Sequence, residues 1–493
     1  MRIKLFDFIK NRPLFTILLC IFFVLHGFTE NYDLVPVKDA LVLTGIYILT
    51  TLTITGLLWL IFRNLLKASL GAFTLLAFHF FFGAIHDEFK KLFDGAFVTK
   101  YSFILPASFI LILFLLILIQ KWNKPLLNVT LYLNALLILL IIFDSGRFVF
   151  KSFNTIKTNE SITGFIECRD CKKPNIYLIL SDEYAGSEAL KDIFSFDNSA
   201  FEEDLRKRNF HVVPSPSSNY NYTPYSIASL FNMNYLNGIT DKSNDINNRN
   251  ISFKNINKNN LTNFLYKSGY DFVNLSLFDF ADKPTNINNN KFYSTRGALI
   301  SSQTLTGRIK KDLWYHLITT FDFKWAQKRM LNQSINTIQQ QFENTISAAE
   351  NKSKTPLFIY THFMMPHYPY LFDKTGNQLS FEESMQGSRK DLYLQYLQYS
   401  NNQFLSLIDS IQEKDKTNPV IILMSDHGFN KYESSFGSSY NFKNIINIYL
   451  PDKHYSNIPD SLSNVNLFRL VFNHQFRLQL PLLKDSTIFL KEY

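Results

Sequence analysis

Cysteine is nearly absent from this chain: 493 residues contain 3, at positions 20, 168 and 171. A cysteine-ligated zinc ribbon needs two ligand pairs, so Cys168-Arg-Asp-Cys171 alone excludes it. In an oxidising compartment that spacing reads as a local disulfide, and Cys20, inside an apolar run, as a lipid- or helix-facing residue. Concentrated charge is also missing. The formal charge is +9, yet no basic run or arginine stripe gathers it. The excess therefore reads as solvated surface and juxtamembrane anchors, with no nucleic-acid partner expected. No internal repeat is apparent. The first apolar run follows Arg2, Lys4, Lys10 and Arg12 but lacks a small-residue cleavage site, which argues for a retained helix over a signal peptide.

Long apolar runs are what the chain does have. Residues 14–28, 40–62, 68–85, 103–119 and 126–143 are each apolar enough to read as a membrane span, predicting a five-helix transmembrane bundle. Lys and Arg cluster before the first span, after the second (Arg63, Lys67) and after the fourth (Lys121, Lys124), while the loop 30–38 holds one. The positive-inside rule then predicts a cytoplasmic N-terminus, and an odd span count sends the remainder outside. The expected organisation is a transmembrane domain over 1–146, a linker over 147–172 and an extracytoplasmic domain over 173–493, carried by the cytoplasmic (inner) membrane. At roughly 320 residues that domain is large enough for a substantial core.

Within it, strand-like runs alternate with helix-like ones, predicting an α/β fold with a mostly parallel central sheet. Asn175-Ile-Tyr-Leu-Ile-Leu180 and Pro419-Val-Ile-Ile-Leu-Met424 are continuous, not alternating, as in central strands covered on both faces. A third such run, 355–362, ends at His362. Residues 388–412 read as a long amphipathic helix. The Asn- and Lys-dense stretch 241–260 reads as loop or insertion.

Both of the first two runs end in Ser-Asp: Ser181-Asp182-Glu183 and Ser425-Asp426-His427-Gly428. An Asp in that position also serves as an ordinary helix cap, but ligands of open α/β sheets bind beyond the carboxyl ends of strands. Asp182, Asp426 and His427 can thus surround one divalent metal, with Glu183 as a further candidate. Between them lies Ser218-Asn-Tyr-Asn-Tyr-Thr223-Pro-Tyr-Ser226, where Pro224 marks the first turn of a helix. Thr223 reads either as a plain cap or as a hydroxyl that, beside a cation at a helix N-terminus, ionises and attacks an electrophile. Ser226 and the pair His362 and His367, set among prolines and aromatics, are the remaining pocket candidates.

This motif order resembles the alkaline phosphatase superfamily in its membrane-bound, sulfatase-like branch. Residues 174–183 are similar to that branch's first strand and metal acid, 223–235 to its nucleophile loop and helix, and 425–428 to its second metal motif. Spans followed by such a domain resemble lipoteichoic acid synthases and phosphoethanolamine transferases. The resemblance implies a phospho-group transferase that moves a phosphoethanolamine- or phosphoglycerol-like group from a phospholipid donor to a glycan or lipid acceptor. It implies Thr223 as nucleophile and fourth metal ligand, one Mn²⁺ or Zn²⁺ (with Ca²⁺ and Mg²⁺ left open), His367 as proton donor, and His362, His367 and Ser226 in substrate binding. A membrane-tethered hydrolase of phosphodiesters or sulfate esters, and an inactive lipid-sensing homologue, are the rival expectations. Two departures stand out. Thr223 and Ile227 occupy positions where formylglycine sulfatases carry Cys or Ser and Arg, which excludes formylglycine chemistry. No further His follows in 429–451, where many phosphoethanolamine transferases have one.

Overall fold

The computed structural model describes residues 8–93, 95–153, 171–239, 243–281, 283–285, 287, 296–351, 353–386, 389–431 and 433–491, the side chains of Ile246, Glu433 and Ser434 excepted. The chain divides into two compact units, one of residues 1–156 with 289–323, the other of 157–288 with 324–493.

The first unit is built on α1 (Phe15–Glu30), α2 (Val37–Phe62), α3 (Leu65–Leu92), α4 (Tyr101–Lys121) and α5 (Leu127–Phe153). Of these, α2 to α5 are long and apolar enough to cross a membrane, whereas α1 has 16 residues. At 1.5 Å per residue α1 measures roughly 24 Å, short of a hydrocarbon core of about 30 Å. Among the described residues four helices are therefore long and apolar enough to span, and the fifth expected span is the short one. Large apolar side chains of α2 and α4 point outward (Leu41, Leu49, Phe109, Ile110), while Ala68, Ser69, Gly71 and Ala72 of α3 are buried. Small residues inside and large ones outside is the pattern of a bundle packed by close backbone approach in lipid. Cys20 is buried, its sulfur 3.0 Å from the Thr51 hydroxyl.

Residues 289–323 depart from the expected division at 146 and 173. They lie between the two stretches of sequence that make up the second unit but cluster with the membrane helices. No periodicity could announce this, because the partner surface lies some 200 positions away in sequence.

The second unit carries β1 (Ile176–Ser181), β2 (His211–Val212), β3 (Ser215–Ser217), β4 (Asp271–Leu275), β5 (Leu357–Phe363), β6 (Val420–Ser425), β7 (Ile446–Tyr449) and β8 (Ser461–Ser463). Six form one sheet in the order β2-β7-β6-β1-β5-β4; β3 and β8 pair separately. Pairs β6–β1, β1–β5 and β5–β4 are parallel, and β7 runs antiparallel to both of its neighbours. The two continuous apolar runs are thus the adjacent central strands. Both faces are covered: Leu331, Tyr396 and Phe404 of α7 (Lys324–Ala349) and α8 (Lys390–Lys414) join the core holding Tyr177 and Ile179. On the other face Phe231 of α6 (Thr223–Asn232) lies 4.9 Å from Tyr360, and Phe468 of α9 (Asn464–Phe476) 6.2 Å from Phe358, centroid to centroid. Burial on both faces removes any pressure for alternation, which is why β1 and β6 read as unbroken apolar runs.

One expectation fails here. The Asn-rich stretch is a helix over Ile246–Asn257, with Asp245 accepting the Asn248 N–H at 2.8 Å. Its buried Asn248, Ser252 and Asn255 are hydrogen-bonded within the fold, so a composition that reads as solvated filler here fills space beside α6. Cys171 is disulfide-bonded; Cys168, its expected partner, lies outside the described residues.

Candidate metal centre and nucleophile

Register brings the two Ser-Asp ends together. Ser181 of β1 is paired with Ser425 of β6 on one side and Phe363 of β5 on the other. The next residues, Asp182 and Asp426, therefore leave the sheet as neighbours. The serines are structural: Ser181 Oγ donates to the Met365 carbonyl at 2.5 Å, and Ser425 Oγ to the Tyr184 carbonyl at 2.9 Å. Each buried hydroxyl pins the loop beside the acid that follows it.

Asp182 and Asp426 are both fully enclosed, and each keeps one carboxylate oxygen, Asp182 Oδ1 and Asp426 Oδ2, without a hydrogen-bond partner. The other oxygens are occupied. Asp182 Oδ2 lies 3.0 Å from His362 Nε2, and Asp426 Oδ1 accepts the Glu183 N–H at 3.2 Å. Glu183 sits in the left-handed region at φ +58°, unusual for a side chain this long, and this conformation aims its amide at Asp426. Two buried carboxylates this close cannot both carry charge freely. Burial works to raise Asp182, but the imidazoles of His367, His362 and His427 outweigh it and hold it well below the usual range. Asp426 moves the opposite way, raised first by burial and then by the charge of Asp182. Burial works to lower His427, and the carboxylates of Asp426, Asp182 and Glu183 overcome it.

His427 Nδ1 donates to the Gly428 carbonyl at 2.7 Å, which turns the lone pair of Nε2 into the site, 3.3 Å from Asp426 Oδ2 and 3.3 Å from Thr223 Oγ1. Thr223 is the first residue of α6, with Tyr222 as the cap and Pro224 next. Its hydroxyl thus stands where the unpaired N–H groups and helix dipole favour negative charge. Ser226 does not face the site opening. It is buried and donates to the Asp426 carbonyl at 2.6 Å, and Asn464 Nδ2 donates to the same carbonyl at 2.8 Å. Together they tie α6 and α9 to the metal loop, a bracing task in place of the expected substrate contact.

His362 also has a different task from the one expected. Its ring is fully buried; Nδ1 lies 2.9 Å from the Tyr360 hydroxyl and Nε2 on Asp182. Burial, then the charges of Asp426 and Asp182, raise the Tyr360 phenol well above its ordinary value. Asp182, held as an acceptor-only carboxylate, takes its hydrogen bond from a proton on Nε2. Donor atoms of Asp182, His362 and Asp426 all lie within 4.8 Å of one another, but an imidazole that donates its proton to a carboxylate orients that ligand and does not itself bind the ion.

His367 is partly exposed. Its Nδ1 contacts the Tyr368 carbonyl and its Nε2 lies 3.7 Å from Glu183 Oε2. Glu183 is fully buried, neither carboxylate oxygen has a hydrogen bond, and Lys431 Nζ stands 3.7 Å from Oε1. Lys431 was not among the expected site residues. Its one sequence mark is its place three residues after Gly428.

The orphaned oxygens of Asp182 and Asp426, the inward-facing lone pair of His427 and the adjacent Thr223 hydroxyl make an oxygen-rich set with one nitrogen, which fits a divalent cation. Gly428 keeps this loop in place. A Cβ there would lie 2.2 Å from the Tyr440 carbonyl and 2.6 Å from that of Lys443. Gly428→Ala is therefore expected to cost about 1–3 kcal/mol and to displace His427, read as a lowered thermal midpoint together with reduced bound metal.

The sulfatase family model matches residues 174–474. None of the curated proteins matches the chain. Among solved structures, the periplasmic domain of EptC from Escherichia coli in complex with Zn is 11% identical with TM-score 0.38, covering 64% of this chain and 88% of that one. The periplasmic domain of phosphoethanolamine transferase EptC from Campylobacter jejuni is 16% identical with TM-score 0.35, covering 64% and 94%. The integral membrane lipooligosaccharide phosphoethanolamine transferase EptA from Neisseria meningitidis is 12% identical with TM-score 0.38, covering 95% of each chain. With its family model spanning well over half of the sequence, the chain belongs to the sulfatase family and is a sulfatase-like enzyme with a membrane-spanning N-terminal region.

Proposed function

We propose that this enzyme is a metal-dependent transferase. In this reading it moves a phosphoethanolamine- or phosphoglycerol-like group from a phospholipid to a glycan or lipid acceptor outside the cytoplasmic membrane. The observation that carries the reading is the Thr223 hydroxyl at the start of α6, 3.3 Å from His427 Nε2 and beside two buried, half-partnered carboxylates. Asp182, Asp426, His427 and Thr223 would hold the cation, which when bound lowers the pKa of a hydroxyl it touches and neutralises phosphoryl charge. Thr223 Oγ1 attacks phosphorus, the bond to the lipid oxygen breaks, and a phospho-threonine diester remains. The N-terminus of α6 steadies the phosphoryl oxygens. His367, on the rim and backed by Glu183, is suited to deliver the proton to the departing oxygen. An acceptor hydroxyl then displaces Thr223, so two inversions leave configuration at phosphorus retained.

The expected result on incubating full-length enzyme with phospholipid and no acceptor is a covalent adduct on the peptide containing Thr223, whose mass names the transferred group. An adduct on another residue, with Thr223 unmodified, sinks the assignment. Hydrolysis is the second reading. It uses the same nucleophile, and label recovered in water and not on an acceptor would select it. The intact ligand set Asp182, Thr223, Asp426 and His427 speaks against an inactive homologue.

A further inference from the structure

Residues 296–323 have two unlike faces. One is fastened to the membrane helices. Arg296 reaches Asp39 at the start of α2 at 3.0 Å, and Ile300 packs so closely on α1 that a Cβ on Gly27 would lie 2.9 Å from it. The Gln303 carbonyl accepts the Gly83 N–H of α3 at 2.9 Å; Arg308 pairs with Asp87 of α3, and Asp312 accepts from the Tyr101 hydroxyl of α4. These partners are the end of α1, the start of α2, the last part of α3 and the start of α4, so the segment gathers helix ends at one end of the bundle. If α2 to α5 span a bilayer, that end stands at its boundary with water.

The other face is exposed and aromatic. Trp314, Phe321 and Phe323 are 41%, 63% and 39% exposed, and Lys310 and Lys311 are exposed beside them. Ile300, on the fastened side, is 2% exposed. Arg296, Arg308, Lys310 and Lys311 outnumber Asp312 and Asp322 in the segment. Three large rings within ten residues exceed the scattered exposed apolar residues of an ordinary surface helix. Trp and Phe with Lys beside them, held where spanning helices end, match the chemistry of the headgroup layer.

We propose that residues 296–323 form an interfacial strap, with Trp314, Phe321 and Phe323 inserted among the headgroups of an anionic phospholipid leaflet and Lys310 and Lys311 against the lipid phosphates. This rests on the membrane reading of α2 to α5 and is independent of the chemistry at Thr223. In full-length protein carrying Trp59→Phe, Trp122→Phe and Trp325→Phe, Trp314 is the single emitter. In phosphatidylglycerol nanodiscs with lipids brominated near the glycerol end, its emission should fall by about twofold or more, and aqueous iodide should leave it unaffected. Quenching by iodide and not by brominated lipid overturns the proposal. Because three tryptophan changes can disturb the bundle, a nitroxide on Phe321→Cys, with Cys20→Ser as the only other change, repeats the measurement. Greater accessibility to oxygen than to an aqueous nickel chelate supports lipid contact; the reverse order overturns it.

Discussion

Thr223→Ala should abolish turnover of phospholipid, with a loss on the order of 10⁴-fold or more, since a double displacement without its nucleophile has no first step. The fold should survive, because Thr223 is not the cap of α6: Tyr222 occupies that position, and the Thr223 hydroxyl faces His427 and Asp426. Thr223→Ser should recover a measurable part of the rate by restoring a hydroxyl at the same helix terminus. Activity of the alanine variant equal to that of the unaltered enzyme would falsify the nucleophile assignment. An alanine variant that loses the adduct yet holds its metal would separate the attacking role from the binding role.

Asp426→Asn should cost the enzyme its cation, and with it activity to a similar degree. The effect on stability is more informative than the rate. A ligand present at a hundredfold its Kd stabilises the folded state by about 2.7 kcal/mol. In a domain of roughly 320 residues each kcal/mol moves the midpoint by about 1.5 °C. The unaltered enzyme should therefore melt about 4 °C higher with Mn²⁺ or Zn²⁺ than after chelation. Asp426→Asn should show no such shift. With metal removed the order should change: burial and Asp182 already push the Asp426 carboxyl toward its neutral form, so the neutral amide should melt no lower than the stripped parent. Metal analysis of purified protein checks the premise. A parent that holds no divalent ion and ignores chelators removes the centre from the account.

The site was legible in the sequence where chemistry follows directly from chain position. Asp182 and Asp426 each end an unbroken apolar run, and a parallel sheet with both faces covered makes strand ends neighbours. Thr223 stood just before a proline that opens a helix. What could not be read was the direction of side chains whose surroundings come from distant segments. His362 ends β5 as expected, but Tyr360 and Asp182 capture both of its ring nitrogens. Ser226 lies on a short helix with no hint that Asp426 would take its hydroxyl. Lys431 enters through a loop whose only local mark is its nearness to Gly428. The Asn-rich helix was hidden for a related reason, since amide side chains look solvated until the groups that satisfy them are known. In the membrane part, composition marked the apolar stretches well. It also marked the weak member, since the run 14–28 is shorter than the ~20 residues a span needs and α1 is a 16-residue helix.

Residues 289–323 belong with the membrane helices although the chain on either side of them belongs with the sheet. The polypeptide consequently passes between the two units three times, near 157, 288 and 324, and not once. Severing it anywhere between 154 and 170 would not set the catalytic half free, because two covalent connections would remain. A recombinant fragment begun at residue 173 would in turn carry 296–323 away from Asp39, Asp87 and Tyr101, laying open the side on which Ile300 is now covered. Excising 289–323 and rejoining the flanks, not trimming the N-terminus alone, is the cut that respects how this protein is assembled.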